Sequence, residues 1–396
     1  PDYRRLGHIA QELGRPPILA LTATASPPVR CEIVEVLGMQ NEAIVVAGFD
    51  RPNLSLEVRR FENGDDKREA LIRAVLSGPK PAIVYAATRA KSEALARDLR
   101  ERDPKRQLRT LAYHAGFASA KRDEIQAAFM HDEADVLVAT VAFGMGVDKP
   151  NVRAVYHLDV SDSLDSYYQE AGRAGRDGQS ASAVLFYSPS DLGLRKFQAS
   201  GGRFAARNAA KIAAVIADLA GENNGETSVS QLREEVDLSA TSLKKAIVQL
   251  EDSGAIQLQS DGTVAVEEQL DFAQLNREVE KSRRAAREWE KSRLEMMQLY
   301  AEHTACRRQF LLGYFGETLE NPCGNCDVCR GAHLCNRIKE KRRESLRKPR
   351  NSAAEPFPCG ARVRHQSWGA GEILGYDADK MTVVFDAAGY KTLSVE

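Results

Sequence analysis

No apolar run in the chain approaches the ~18 residues that a membrane-spanning helix needs. The opening residues, PDYRRLGHIAQELG, hold no apolar signal-peptide core. Neither membrane residence nor secretion is expected. No G-x-x-x-x-G-K-[ST] string occurs anywhere, so no loop offers the lysine and hydroxyl that cradle a nucleotide's phosphates. Neither sign of charge is in excess: 55 Lys and Arg stand against 56 Asp and Glu, a net charge of −1. That excludes a uniformly basic nucleic-acid coat and leaves only local patches. Cysteine is scarce outside one place. Cys31 and Cys359 are isolated, and the other five of seven lie between 306 and 335. Without a secretion signal, such a cluster reads as a metal site rather than disulfides. The chain has no initiator Met and opens in mid-helix pattern, so it is expected to be a piece of something longer.

What is present suffices for several cores, because 396 residues at 43% hydrophobic content predict two to four domains. PPILALTATA (16–25) reads as a short buried strand, followed by a helix from Pro27 to Leu37. FDRPNLSLEV (49–58) reads as a linker into a new strand. Strands at 81–88, 108–114, 134–140, 152–158 and 181–187 then alternate with helices at 89–102, 119–130 and 163–173. That alternation predicts a parallel sheet covered on both faces. Beyond residue 199 come helical segments at 208–220, 228–236 and 240–253. AIQLQSDGTVAV (255–266) then reads as a hairpin around an Asp-Gly turn. Three helices and a hairpin make a winged helix. Long helices are expected over 270–315, a charged and Pro/Ser/Ala-rich tether over 336–358, and short strands with Gly turns after it.

Two strings carry chemistry. In YYQEAGRAGRDG (167–178), Gln169, Arg173 and Arg176 share one face if the stretch is helical. Gly172 and Gly175 remove side chains beside them, so a ligand or another backbone can approach. Two guanidiniums on one face suit a triphosphate, although spacing alone fits a solvated arginine pair. In the second string, Cys306 precedes CGNCDVC, which places Cys323, Cys326 and Cys329. Four thiolates suit a tetrahedral Zn²⁺ with no open position, hence a structural site. An iron–sulfur cluster is the runner-up, but its C-x₂-C-x₂-C-x₃-C-P run is absent. Cys335, His303 and His333 lie nearby and are not expected to ligate.

With these residues the chain resembles the RecQ family of ATP-dependent DNA helicases. AIVYAATRAK is similar to that family's motif IV, 138–153 to motif V, 167–178 to motif VI and LTATA (21–25) to motif III. The segment ACRRQFLLGYFGE…PCGNCDVC is similar to the family's zinc segment, which makes zinc the favoured metal. The resemblance implies arginine fingers at Arg173 and Arg176, with Gln169 positioning the nucleotide. It implies a nucleotide cleft edged by Gly146, Asp148, Gly172 and Gly175. Thr88, Arg89 and Thr140 would contact single-stranded DNA phosphates. It places the missing phosphate loop and acidic box before Pro1, so ATP and Mg²⁺ are expected only in the intact protein and this chain alone should not hydrolyse ATP.

The implied architecture is α/β. Residues 1–48 would end a first RecA-like lobe and 49–198 form the second, of P-loop NTPase helicase type. A winged helix (199–266), a helical zinc-binding domain (267–332), a basic linker (333–357) and an SH3/Tudor-like β-barrel (358–396) would follow. In typical members the zinc segment precedes the winged helix; the reverse order here suggests a RecQ-like subgroup. Lys244 and Lys245 on the winged helix's recognition segment are candidates for DNA, with a protein-contact or architectural role as the alternative. The barrel resembles the one ending UvrD/PcrA-type helicases, which implies RNA polymerase or a repair protein as a partner. The expected function is the C-terminal part of a 3′→5′ helicase acting on single-stranded and duplex DNA in repair and recombination, in the bacterial cytoplasm at the nucleoid. The alternative is a non-catalytic nucleic-acid adaptor. One string misleads: Asp132-Glu133-Ala134-Asp135 spells an acidic box but precedes its strand. A metal-holding pair belongs at the strand's carboxyl end, so these residues read as a polar loop.

Overall fold

The computed structural model describes residues 6–103, 107–144, 147–193, 212, 215–216, 219, 226–236, 238, 243, 247, 250, 256–258, 263–266, 272–331, 357–358, 360–377, 380–386 and 388–394. The chain divides into two compact units, residues 1–9 with 196–291, and residues 10–195 with 292–396.

The larger unit is built on a six-stranded sheet. Its strands are β1 (Leu54–Arg60), β2 (Ala82–Tyr85), β3 (Thr110–Tyr113), β4 (Val136–Ala139), β5 (Ala154–His157) and β6 (Ala181–Tyr187). They lie in the order β1-β6-β5-β2-β4-β3, every pair parallel. Crossovers run through α3 (Gly64–Ser77), α4 (Arg89–Arg102), α5 (Ser119–Met130) and α6 (Leu164–Ala171), after α1 (Leu6–Glu12) and α2 (Pro27–Leu37). The central strands read as continuous apolar runs because both faces are covered. Ala82 and Val84 of β2 join Leu71, Val75, Leu95 and Leu99 of α3 and α4 in one core, while Ile83 is equally buried.

Three features depart from the sequence reading. Helix α3 went unassigned, although Asn63 caps it by accepting from the Asp66 N–H and two aspartates occupy its first turn. Residues 16–25 form no strand; Leu19 and Leu21 are 81% and 84% exposed. A strand needs a neighbour to complete its ladder, and among the described residues none pairs with this segment. The third departure is at α6, which ends at Ala171 instead of continuing to 173; Gly172 caps it and turns follow.

The Asp132-Glu133-Ala134-Asp135 string does sit at the amino end of β4. Asp132 accepts from the buried Lys149 Nζ at 2.7 Å, which holds its carboxyl below the usual carboxylate range. Asp135 is held low by its hydrogen bond from Arg109. Both are structural anchors.

In the smaller unit, strands β7 (Glu226–Ser228), β8 (Ile256–Leu258) and β9 (Thr263–Val266) form an antiparallel sheet with β9 in the middle. Helix Val229–Glu235 starts with a reciprocal cap between Ser228 and Gln231. Ile212, Ile216, Leu232, Leu243, Ile247 and Val264 share its core. Most of 208–220 and 240–253, Lys244 and Lys245 included, lies outside the described residues, as do Gly146, His333, Cys335 and nearly all of the tether.

Back in the larger unit, β10 (Arg362–His365), β11 (Gly369–Asp377), β12 (Lys380–Phe385) and β13 (Gly389–Ser394) form an antiparallel meander over Ile373, Met381, Val383 and Phe385. Trp368 stacks on His365 at 4.1 Å and packs against Phe385, a core role. No described helix is long and apolar enough to cross a membrane.

One buried ion pair closes the lobe's end. Lys67 of α3 meets Asp191, whose other oxygen accepts from the Ser188 N–H. Burial still holds the Asp191 carboxyl above the usual range despite the lysine. Lys67→Met is therefore expected to cost about 3 kcal/mol, the low end for a broken buried pair because Asp191 can take up a proton. Lys67→Met/Asp191→Leu should recover most of it. Urea denaturation checks both, and an unaffected single variant would contradict this account.

Candidate functional site

The arginine turn is built by what holds it. Helix α6 is capped by Ser163, which accepts from the Ser166 N–H at 3.1 Å. After its end the backbone carbonyls of Gly172, Ala174 and Gly175 have no helical donor. Arg51 supplies donors to all three, at 3.1, 3.0 and 2.8 Å. Asn53 adds a bond to the Gly175 carbonyl at 2.7 Å and one to that of Gln179 at 2.8 Å. Gly175 has φ +61° and no room for a side chain, since an added Cβ would lie 2.6 Å from Asn53 Nδ2. The close approach anticipated at this glycine is thus made by Asn53. Gly172 is a helix cap whose added Cβ would meet the Tyr168 carbonyl.

The three polar side chains are separated by that turn. Gln169, still on α6, donates from Nε2 to Thr24 Oγ1 in the LTATA stretch. Arg173 is buried beside Gly144 and the Tyr85 hydroxyl, and its Nε has no partner among the described residues. Arg176 is partly exposed and donates to the Val147 carbonyl at 2.9 Å and to Asp148 at 2.6 Å. Asp148 is itself 83% exposed, so this ion pair is weak and readily exchanged for another anion. Two guanidiniums with spare donors at one turn have the chemistry to hold an anion; a solvated arginine pair would not bury Arg173.

Beneath the turn lies a buried polar layer. Glu170 accepts from Ser161 at 2.7 Å and pairs with His157 Nε2 at 2.9 Å, and the His157 ring stacks on Tyr85. Burial raises the Tyr85 hydroxyl's pKa, so it stays protonated and donates to the Phe143 carbonyl at 3.0 Å.

The residues at the carboxyl ends of β2, β3 and β4 share the sheet edge where α/β proteins place ligands. Thr88 caps α4, accepting from the Lys91 N–H at 3.2 Å. Arg89 lies against Gly116. Thr140 Oγ1 accepts from the Ala142 N–H at 3.4 Å. Asp159 ties this edge together, taking Lys91 Nζ at 2.5 Å and the Ala87 N–H at 2.9 Å. Next to them, His114 Nδ1 accepts from the Gly116 N–H at 3.1 Å, so Nε2 carries the proton donated to Glu93 at 2.7 Å. Arg51, Asn53 and Asp159 escaped the sequence reading. The Arg-Pro-Asn string gave one signal, two forked polar side chains flanking a proline in a linker.

The metal centre is assembled by helix Arg307–Tyr314 and the turn after it. Sγ atoms of Cys306, Cys323, Cys326 and Cys329 all lie within 4.8 Å of one another. Four thiolates about 2.3 Å from a zinc ion would be about 3.8 Å apart, which this cluster nearly meets. Backbone N–H groups of Cys323, Asn325 and Cys329 point at sulfurs 3.3–3.4 Å away. This is a structural Zn²⁺ site, and His303, tilted against Phe310, is not part of it. Asp327 fixes the knuckle to β1, accepting the Val58 N–H at 3.1 Å and Arg307 Nε at 2.6 Å. Arg308 donates to the carbonyls of Arg51, Pro52 and Leu54 at 3.0, 3.3 and 2.6 Å. The linker that positions Arg51 is therefore held by the residue two places after the first zinc ligand.

The family model for the helicase conserved C-terminal domain matches residues 66–178, and that for RecQ zinc-binding matches residues 269–330. The ATP-dependent DNA helicase RecQ of Pasteurella multocida is 33% identical over 331 residues, 83% of this chain and 39% of that protein. RecQ of Bacillus subtilis is 42% identical over 198 residues, 50% of this chain and 32% of the relative. The probable ATP-dependent DNA helicase RecS of Bacillus subtilis is 32% identical over 329 residues, 83% of this chain and 62% of the relative. The chain thus spans less than two thirds of the length of each.

Hydrogen bonding within the cluster holds the Cys306 thiol down and pushes Cys326 up to about 12, while burial raises Cys329. Metal must displace protons from the raised thiols, so affinity falls as pH falls. Metal analysis should find about one zinc per chain, released by chelator more readily at about pH 6 than at about pH 8. Iron in its place, or release independent of pH, would overturn the assignment.

Proposed function

We infer that the chain belongs to the RecQ helicase family, and from that premise that it is the C-terminal part of an ATP-dependent 3′→5′ DNA helicase. The observation that carries this reading is the arginine turn, with Arg173 and Arg176 poised immediately after a helix whose Gln169 grips Thr24. In the intact protein, ATP and Mg²⁺ would be held by an upstream phosphate loop and acidic pair. Closure of the two lobes would bring Arg176 off Asp148 and onto the γ-phosphate, with Arg173 behind it. An arginine finger contributes roughly 10³–10⁵ in rate in well-studied NTPases. Thr88, Arg89 and Thr140, at the carboxyl ends of the strands, would contact phosphates of the tracking single strand without reading bases. Lys244 and Lys245 would engage duplex DNA. Repair and recombination intermediates in the bacterial cytoplasm, at the nucleoid, are the substrates this reading assigns. A partner of the barrel, RNA polymerase or a repair protein, would use the barrel faces that leave its contacts with the lobe in place.

In the intact protein, Arg176→Ala should lower DNA-stimulated ATP turnover by about 10³-fold or more while DNA affinity is retained. Unchanged turnover would remove the arginine-finger role. If the unaltered protein binds DNA yet never hydrolyses ATP, the adaptor reading holds instead.

A further inference from the structure

The barrel is packed against the lobe by a buried contact, so it is more than an appendage on a tether. Tyr390 of β13 is 2% exposed and donates from its hydroxyl to Ser26 Oγ at 3.2 Å. Ser26 occupies the cap position of α2, yet its side chain caps nothing; it is fully buried and its hydroxyl is given to the barrel. The Tyr390 ring stacks on Tyr314 at 5.1 Å, and Tyr314 donates to Asp165 in the first turn of α6 at 2.5 Å. Burial pushes the Tyr390 pKa up to about 12, so the hydroxyl remains a donor at any working pH.

These contacts converge with two others on one short segment. Thr24 is gripped by Gln169 of α6, and Arg30 donates to the Phe315 carbonyl at 2.7 Å. Gly316 packs against Pro27 and Arg30 so closely that an added Cβ would lie 3.0 and 3.2 Å from them. Residues 24–30 are thereby pinned by the arginine-bearing lobe, by the zinc segment and by the barrel. Helix α6 is pinned twice, at Gln169 through Thr24 and at Asp165 through the Tyr314 that Tyr390 supports.

We propose that Tyr390 is a positioning residue for the ATPase reaction, its barrel holding residues 24–30 and α6 in one register so that the turn carrying Arg173 and Arg176 is correctly aimed. This rests on the helicase reading. The barrel is fastened to the same short segment that Gln169 grips from the helix before the arginine turn, so it can couple hydrolysis to strand movement. A free adaptor would have no need to bury a hydroxyl pair against it.

The test uses the intact protein with Tyr390→Phe, which keeps the stacked ring and deletes the hydroxyl with its bonds to Ser26 and Tyr314, and Tyr390→Ala, which deletes the ring as well. Tyr390→Phe should lower kcat for DNA-stimulated ATP hydrolysis by about fivefold, the rate equivalent of the one hydrogen bond to Ser26, with KM for ATP unchanged. It should also reduce base pairs unwound per ATP and speed amide exchange across residues 24–30. Tyr390→Ala should do more of each, with zinc content unaffected. An active parent whose Phe and Ala variants keep kcat and coupling, even with faster exchange at 24–30, sinks this inference and leaves the helicase reading intact. A DNA-binding parent without ATP turnover sinks the helicase reading, and the Tyr390 role with it.

Discussion

Three carbonyl oxygens in the turn after α6, outside any helical ladder, set the terms for the rest of the larger unit. A chain that leaves its helix two residues before Arg173 gives up the regular ladder, and buried acceptors need partners. Arg51 satisfies all three with one planar fork, a task that a lysine's single ammonium could not perform in the same geometry. The turn can then adopt the positive φ at Gly175 that swings Arg176 toward solvent while Arg173 stays inside. The aim of the arginines is thus a backbone property, fixed from a linker more than a hundred residues earlier, in the sense that non-local contacts carry the specificity.

That linker needs fixing in turn, and the zinc segment provides it. Arg308 donates to the carbonyls of Arg51, Pro52 and Leu54, and Phe49 stacks on Phe315 at 4.6 Å while its N–H reaches Glu317 at 2.7 Å. A metal knuckle is well suited to this, because four thiolates on one ion give rigidity to a segment too short for its own core. The zinc has no open position and no chemistry of its own; its effect on the arginines passes through backbone.

Much of this was legible in the sequence, and the failures have physical causes. Helices α4 and α5 and strand β6 sit where the apolar periods put them, since both their hydrophobic pattern and their neighbours agree. The four cysteines were identifiable because ligand spacing survives without any tertiary knowledge. By contrast, the 16–25 stretch has the composition of a strand and none of the partners, so propensity promised what only pairing delivers. Helical spacing put Gln169, Arg173 and Arg176 on one face, but the helix ends at Ala171 with Gly172 as its cap, and the room at Gly175, read as open to a ligand or another backbone, is taken by Asn53. Arg51, Asn53 and Tyr390 were invisible for a common reason. Each acts on backbone or hydroxyl groups far away in sequence, and beyond the Arg-Pro-Asn string nothing local marks them.

The pairing of β1 with β6 has a consequence for how the chain is made. Leu54 lies opposite Ala181, and the zinc knuckle docks on the same β1 through Asp327. A strand emerging from a ribosome at about 5–20 residues per second would wait roughly 6 to 25 s for its partner. Its apolar face and unpaired edge stay open during that interval, which is when a holding chaperone would matter most. The knuckle is synthesised later still, so metal capture is a late step that locks a sheet already closed.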